Sequence, residues 1–190
     1  NFMSDTIPKL KKEIERLKNL LYHDELTGLL NRRGFTNEAK KFLTSLEGQY
    51  IFKERKSFLL KNFALIYFDL DNFKKINDRH GHHVGDEALK LFSSIVQERV
   101  RDIDLSARWG GEEIVVGLVG ASIKDAFRVA ENIRTNLLQK HILYHKTKIK
   151  FTVSAGVSDM IHAHNFNSLL DLADKALYKA KRLGKNQVQN

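Results

Sequence analysis

The sequence predicts an α+β domain, and three observations carry that expectation. Phe63–Leu70 (FALIYFDL) is a continuous apolar run ending in acid, the pattern of a buried strand. Leu105–Trp109 and Glu113–Val119 flank Gly110-Gly111, which reads as two strands joined by a two-glycine hairpin turn. Stretches with helical spacing of apolar residues alternate with these strands. With 190 residues, 42% hydrophobic and 29% charged, the chain is one globular domain with a short appendage.

The elements follow in order. Ile7, Leu10, Ile14, Leu17 and Leu21 recur at spacings of 3, 4, 3 and 4, an a/d heptad seam set among Lys, Glu and Arg. Pro8 suits the first turn of that helix. Gly28 and Asn31 mark a turn, and Thr36 is placed to N-cap a helix running through Ala39, Phe42 and Leu46. Residues 47–61 read as an irregular connection or helix end. The strand Phe63–Leu70 follows, then a polar, turn-forming stretch over 71–80. Asp86–Val100 has helical spacing at Ala88, Leu89, Leu91, Phe92, Ile95 and Val96. After the hairpin come an amphipathic helix over Lys124–Gln139, a strand over Lys148–Ser158, and a closing helix from Asn167 to about Leu183. The order gives a ferredoxin-like βαββαβ core with helices on one face of the sheet.

Composition sets further bounds. The chain has no cysteine, which excludes disulfides, a thiolate nucleophile and cysteine-ligated metal, and fits a reducing compartment. No apolar run approaches the roughly 18–20 residues that span a bilayer. The charged N-terminus lacks the apolar core of a signal peptide. Asn1 and Phe2 ahead of Met3 make the chain read as a piece of a longer protein. The net charge of +9 points to an anionic partner or to a solubilising surface.

The acids are placed for chemistry. Asp69 and Asp71 close the apolar strand, where ionised groups are expected to face solvent or a cation. Glu112 and Glu113 follow the glycine turn. Such carboxylates offer a hard divalent ion its oxygen ligands, and adjacent strands would bring Asp69 close to Glu112. A solvated hairpin with ordinary acid content is the alternative. Between Asn72 and Asp86 lie Lys74, suited to a triphosphate, and Asn77 and Asp86, an amide and a carboxylate able to read guanine. His80, His82 and His83 lack the i, i+4 spacing of a helical metal pair. Lys181 and Lys185 sit at a helix C-terminus, favoured there by the helix dipole or by a phosphate.

Taken together, five blocks resemble the GGDEF domain, the catalytic domain of bacterial diguanylate cyclases, over residues 23–188. They are Asp24-x-Leu-Thr-Gly-Leu-x-Asn-Arg-Arg33, Phe68-Asp-Leu-Asp-x-Phe-Lys-x-Ile-Asn-Asp78, Gly81-His-x-x-Gly-Asp86, Arg108-Trp-Gly-Gly-Glu-Glu-Ile114 and Ala180-Lys-x-x-Gly-Lys-Asn186. The resemblance implies a fold similar to the nucleotidyl-cyclase and polymerase palm, with residues 1–22 as a signalling helix and 23–190 as the domain. It implies condensation of two GTP into cyclic di-GMP with release of pyrophosphate. It makes Asp69, the Leu70 carbonyl, Glu112 and Glu113 the ligands of two Mg²⁺ or Mn²⁺ ions. It makes Glu112 the base for the ribose 3′-OH, Asn77 and Asp86 the readers of guanine, and Lys74, Lys181 and Lys185 the holders of phosphate.

Because the product is two-fold symmetric, the resemblance implies a homodimer, driven by an N-terminal sensor not contained in these 190 residues. Arg101 and Asp104 match the family's RxxD inhibitory site, which binds the product. The location expected is the cytoplasm, in a multidomain protein or at the cytoplasmic end of a membrane-bound sensor. Trp109 stands for the commoner Tyr or His, Ile114 for Phe, and Lys185 for Arg, the last losing bidentate geometry. Three rivals are weighed: a catalytically silent receptor for GTP or cyclic di-GMP, an ATP-using relative, and a nucleic-acid module. Intact Asp69, Glu112 and Glu113 speak against the first and Asp86 against the second. The third lacks a basic stripe with interleaved aromatics, so no nucleic-acid partner is expected. If the Ile7–Leu21 helix sets the register of two copies, inserting residues near Lys18 changes turnover; unchanged turnover would remove that role.

Overall fold

The computed structural model describes the backbone of residues 2–51 and 62–190, with side chains described for 7–44 and 62–190. The elements are α1 (Phe2–Tyr22), β1 (Leu30–Asn31), α2 (Arg32–Ile51), β2 (Phe63–Leu70), α3 (Phe73–His80), α4 (His82–Arg99), β3 (Leu105–Arg108), β4 (Glu113–Val119), α5 (Ile123–Gln139), β5 (Ile142–Tyr144), β6 (Thr147–Ile149), β7 (Val153–Asp159), α6 (Phe166–Arg182) and β8 (Val188–Gln189). The main sheet runs β1-β3-β4-β2-β7-β8. Its four central strands pair antiparallel, and short parallel strands close each edge. Strands β2, β3, β4 and β7 with their crossover helices form the predicted βαββαβ core.

Strand β2 lies at the centre, and all eight of its residues are buried. Ala64, Ile66, Phe68 and Leu70 pack with α4 and α5 on one face. Phe63, Leu65 and Tyr67 pack with α2 and α6 on the other. The sheet is therefore covered on both faces, not one. The reason lies in the strand itself: a run apolar at every position has no side to turn to water.

Other differences are local. Residues 73–80, expected as turn, form α3: Phe73 and Ile76, three apart, are its two buried residues, and the rest are polar. Two anchors in eight residues leave almost no periodic signal. Helix α4 begins at His82, ahead of the expected Asp86. Helix α2 begins at Arg32, and its cap is Asn31, whose Oδ1 accepts the Gly34 N–H at 2.9 Å. Thr36 lies inside the helix, its hydroxyl donating to the Arg32 carbonyl. Residues 47–51 continue α2, so the irregular connection expected over 47–61 does not begin there; residues 52–61 lie outside the described residues. The single strand expected over Lys148–Ser158 is broken at 150–152. Its first part, β6, pairs with β5 in a separate hairpin, turning through His145 and Lys146 with φ of 43° and 64°. That left-handed pair lacks the Asn-Gly signature by which such turns are read.

Helix α1 carries Pro8 in its interior rather than its first turn. Ile7, Leu10, Ile14, Leu17 and Leu21 stay about half exposed along it, so the described residues leave the seam uncovered. Helices α5 and α6 each start in a capping box, Ser122 with Asp125 and Asn165 with Ser168.

Gly156 on β7 lets α6 approach to backbone contact: a Cβ there would overlap the Ala173 carbonyl and the Leu177 amide. Gly156→Ala is expected to cost about 3 kcal/mol or more in urea unfolding, since helix backbone cannot yield as a side chain does. Gly111→Ala, which meets nothing within 4 Å, should be near neutral in the same assay.

Candidate active site

The antiparallel register of β2 and β4 places Asp69 opposite Glu113 at one edge of the sheet. The sequence pointed to Glu112 as the neighbour of Asp69; the register makes it Glu113, with Glu112 one step out in the loop. The difference arises because the Trp109 N–H donates to the Glu113 carbonyl at 2.8 Å. The ladder thus extends to that pair, leaving a three-residue loop of Gly110, Gly111 and Glu112 instead of a two-glycine turn. The Glu112 carbonyl then reaches back to accept the Leu70 N–H at 3.3 Å.

Asp69 is buried, and the last turn of α6 brings Lys181 Nζ to 2.7 Å from its Oδ2. Burial pushes the Asp69 carboxyl above its ordinary range, against the pull of the Lys181 ammonium. Burial, and then the charge of Asp69, also push Glu113 up. Tyr67, two residues before Asp69 on the same face, hydrogen-bonds to Glu113. Its own burial and the Glu113 charge push the phenol up, so it stays protonated as a donor. This edge holds carboxylates in an environment that disfavours their charge, which a bound cation would relieve.

A second set of residues fixes the loop. The Thr27 amide and hydroxyl close on Asp24 Oδ1 at 3.0 and 2.7 Å. Arg108 Nη1 meets the same carboxylate at 3.2 Å. The guanidinium also donates from Nε and Nη2 to the Gly111 carbonyl, at 3.1 and 2.9 Å. Trp109 packs edge-on against Phe35, with the Arg32 guanidinium 4.8 Å above its ring. The roles of Tyr67, Asp24 and Arg108 were not assigned from sequence. Asp24 and Arg108 stand in the matching blocks but 84 residues apart, and nothing in either segment names the other.

On the opposite face, α3 and α4 bring Asn77 and Asp86 to the same helical corner. Gly85 makes this close approach workable, since a Cβ there would overlap Asn77 Oδ1. That oxygen is buried and has no hydrogen-bond partner. Lys74 is exposed on the first turn of α3.

Lys185 reaches Asn72 Oδ1 at 2.6 Å from a left-handed turn, with φ of 116°, 65° and 47° at Gly184, Lys185 and Asn186. Asp71 pins that turn. Its carboxylate accepts the Thr152 and Ser154 hydroxyls at 2.6 and 2.7 Å and the Asn186 N–H at 3.0 Å. Asp71 is buried and saturated, so it faces neither solvent nor a cation as the sequence predicted.

Arg101 and Asp104 do meet, but as partners of each other, in a two-pronged pair at 2.7 and 2.9 Å. Asp104 also accepts the Val119 N–H, which puts this pair at the far end of β4, roughly 20 Å from Glu113. Among the described residues no group of three or more His, Asp or Glu is gathered as a ready metal cage, and His80, His82 and His83 do not form one. No described helix is long and apolar enough to cross a membrane.

The profile of the family described as "Diguanylate cyclase, GGDEF domain" matches residues 21–187. The chain belongs to this GGDEF domain family. Diguanylate cyclase DgcM of Escherichia coli is 35% identical over 182 residues, 96% of this chain and 41% of that protein. Response regulator PleD of Caulobacter vibrioides is 34% identical over 184 residues, 94% of this chain and 38% of that protein. The GGDEF domain thus spans less than half the length of these relatives. Among solved structures, the GGDEF domain of PA1120 (TpbB or YfiN) from Pseudomonas aeruginosa superposes with a TM-score of 0.75 at 33% identity, covering 88% of this chain and 93% of that one. The coiled coil and GGDEF domain of DgcB from Caulobacter crescentus superposes at 0.85 with 24% identity, covering 98% and 94%, a likeness of fold.

The electrostatics of the GGDEF edge give a signed pH dependence. The folded pKa of Glu113 lies above its unfolded value, so its contribution to stability is full below the unfolded carboxylate range and is lost as pH rises through the folded pKa. Without divalent cations, Glu113→Gln should raise the thermal midpoint by a few degrees at pH 8, and the gain should vanish towards pH 4. Scanning calorimetry across that range decides it; a gain independent of pH would show that burial of this charge is not the cause.

Proposed function

We propose that this domain is one half-site of a diguanylate cyclase, binding one GTP and joining it to the GTP of a second copy. The observation that carries the reading is the buried Asp69 beside Glu113, at the sheet edge where Lys181 arrives from α6. On the other face, Asn77 offers its amide to the O6 or N7 of guanine. Asp86 offers an acceptor for the N1–H and N2–H of guanine, donors that adenine lacks in that arrangement. Lys74, Lys181 and Lys185 supply positive charge to a triphosphate lying across the edge, and Lys74 balances charge that develops on the transferred phosphoryl group.

The donors present suit a hard cation: the Asp69, Glu112 and Glu113 carboxylates and the Leu70 carbonyl, all oxygen, with Asp69 and Glu113 held where burial disfavours their charge. Two Mg²⁺ or Mn²⁺ ions held there would acidify the attacking hydroxyl and neutralise the triphosphate. Glu112, in the loop fixed by Arg108, takes the proton of the ribose 3′-OH. The 3′-oxygen bonds to the α-phosphorus of the facing GTP, the bond to the β-phosphate oxygen breaks, and pyrophosphate leaves with the electron pair. Two such transfers give one cyclic di-GMP and two pyrophosphates.

One domain with one GTP cannot close the ring, so the reading requires a homodimer. The uncovered seam of α1 gives two copies a means of alignment under an N-terminal sensor. Product inhibition would engage Arg101, whose side chain is largely exposed, together with Asp104. Incubation with GTP and Mg²⁺, read by mass spectrometry, should yield cyclic di-GMP, with none from ATP alone. Glu112→Ala should lower the rate about 100-fold or more, the scale on which groups serving the transition state act. No product at a concentration that dimerises the protein, with calorimetric binding of cyclic di-GMP, would make the domain a silent receptor.

A further inference from the structure

Helix α3 has two working faces. Lys74 and Asn77 lie on one. Behind the other is an open cleft of about 320 Å³, bounded by the end of α5 and the chain leaving the β5–β6 hairpin. Its floor is apolar: Ile76, Ile149 and Phe151 are buried there. Its rim is basic, formed by Lys75, Arg79 and Lys150, with His80 alongside.

Arg79 stands apart from every other described arginine. Arg16, Arg101, Arg108, Arg128 and Arg134 hold carboxylates. Arg99 holds Asn136, and Arg32, Arg33 and Arg182 lie over aromatic rings. Arg79 has no partner among the described residues, and no carboxylate there pairs with Lys75 or Lys150. The one acid lining the cleft, Asp71, already accepts three hydrogen bonds from Thr152, Ser154 and Asn186. Three uncompensated cations around an apolar floor are complementary to a ligand with a multiply charged oxyanion at one end and an apolar or aromatic group at the other.

We infer that this cleft is a second ligand site, taking a small phosphate monoester whose apolar part rests on Ile76 and Phe151 and whose phosphate is held by Arg79, Lys75 and Lys150. The cleft meets the catalytic edge at Asn72, whose Oδ1 accepts from Lys185, but Arg79, Lys75 and Lys150 are not among the cations assigned to GTP.

Phenyl phosphate is the probe, titrated into the cation-free protein and followed by the backbone amide shifts of residues 75–80 and 149–152. The expected result is saturable binding that Arg79→Gln and Lys150→Gln each weaken ~10-fold, the worth of one charge-assisted contact. Lys181→Gln, which alters the catalytic edge, should leave it unchanged. Inorganic phosphate should bind more weakly than phenyl phosphate. Binding lost in Lys181→Gln but kept in Arg79→Gln would assign the probe to the catalytic edge and overturn the inference. Absence of saturable binding, or equal affinity for inorganic and phenyl phosphate, would overturn it as well.

Discussion

The registration of β2 against β4 is the constraint on which the rest of this domain depends. It is held from both directions. The eight buried residues of β2 pack by turns into two cores, so a slip of one position would exchange the two sets and leave Asp69 facing α4 and α5. At the other end, the extra Trp109–Glu113 rung and the grip of Arg108 on the Gly111 carbonyl fix how far the loop extends beyond the sheet. With both ends set, Asp69 and Glu113 must share an edge despite their like charge.

That enforced proximity stores an electrostatic cost that the local structure only partly offsets. Lys181 answers Asp69 and Tyr67 answers Glu113, yet burial keeps both carboxyls above their ordinary range. Sites that act on polyanions need such a balance: enough negative charge to gather cations, and enough positive charge nearby to admit phosphate. The position of Lys185 depends in turn on Asp71, which spends its carboxylate on pinning the turn after α6. The second acid of the β2 segment thus serves the geometry of the turn that carries Lys185.

The Asp24–Arg108 pair gives the N-terminal helix a physical connection to the 110–112 loop. Helix α1 ends in a turn closed on Asp24, and the same carboxylate holds the guanidinium that holds Gly111. Asn31 ties the connection further, donating to the Leu21 carbonyl at the end of α1 while capping α2. The end of α1 is thus joined to the loop by a short chain of hydrogen bonds.

The sequence by itself determined the α+β class, the central buried strand, the hairpin strands, the long amphipathic helices and the family. All of these rest on local periodicity or on contiguous motifs. It also singled out Asp69, Glu113, Asn77 and Lys181 as candidates for chemistry, without their partners. Tertiary structure alone decided that both faces of the sheet are covered, that Asp69 faces Glu113 rather than Glu112, and that Asp71 is structural. It alone paired Asp24 with Arg108 and left Arg79 without a partner among the described residues. The physical reason is common to these cases. Periodicity records whether a side chain is buried, but not which distant group it meets, and the fate of a charge is set by that partner. Short elements such as α3 and the β5–β6 hairpin fall on the same side of the line, because their conformation is held by the surfaces around them rather than by their own residues.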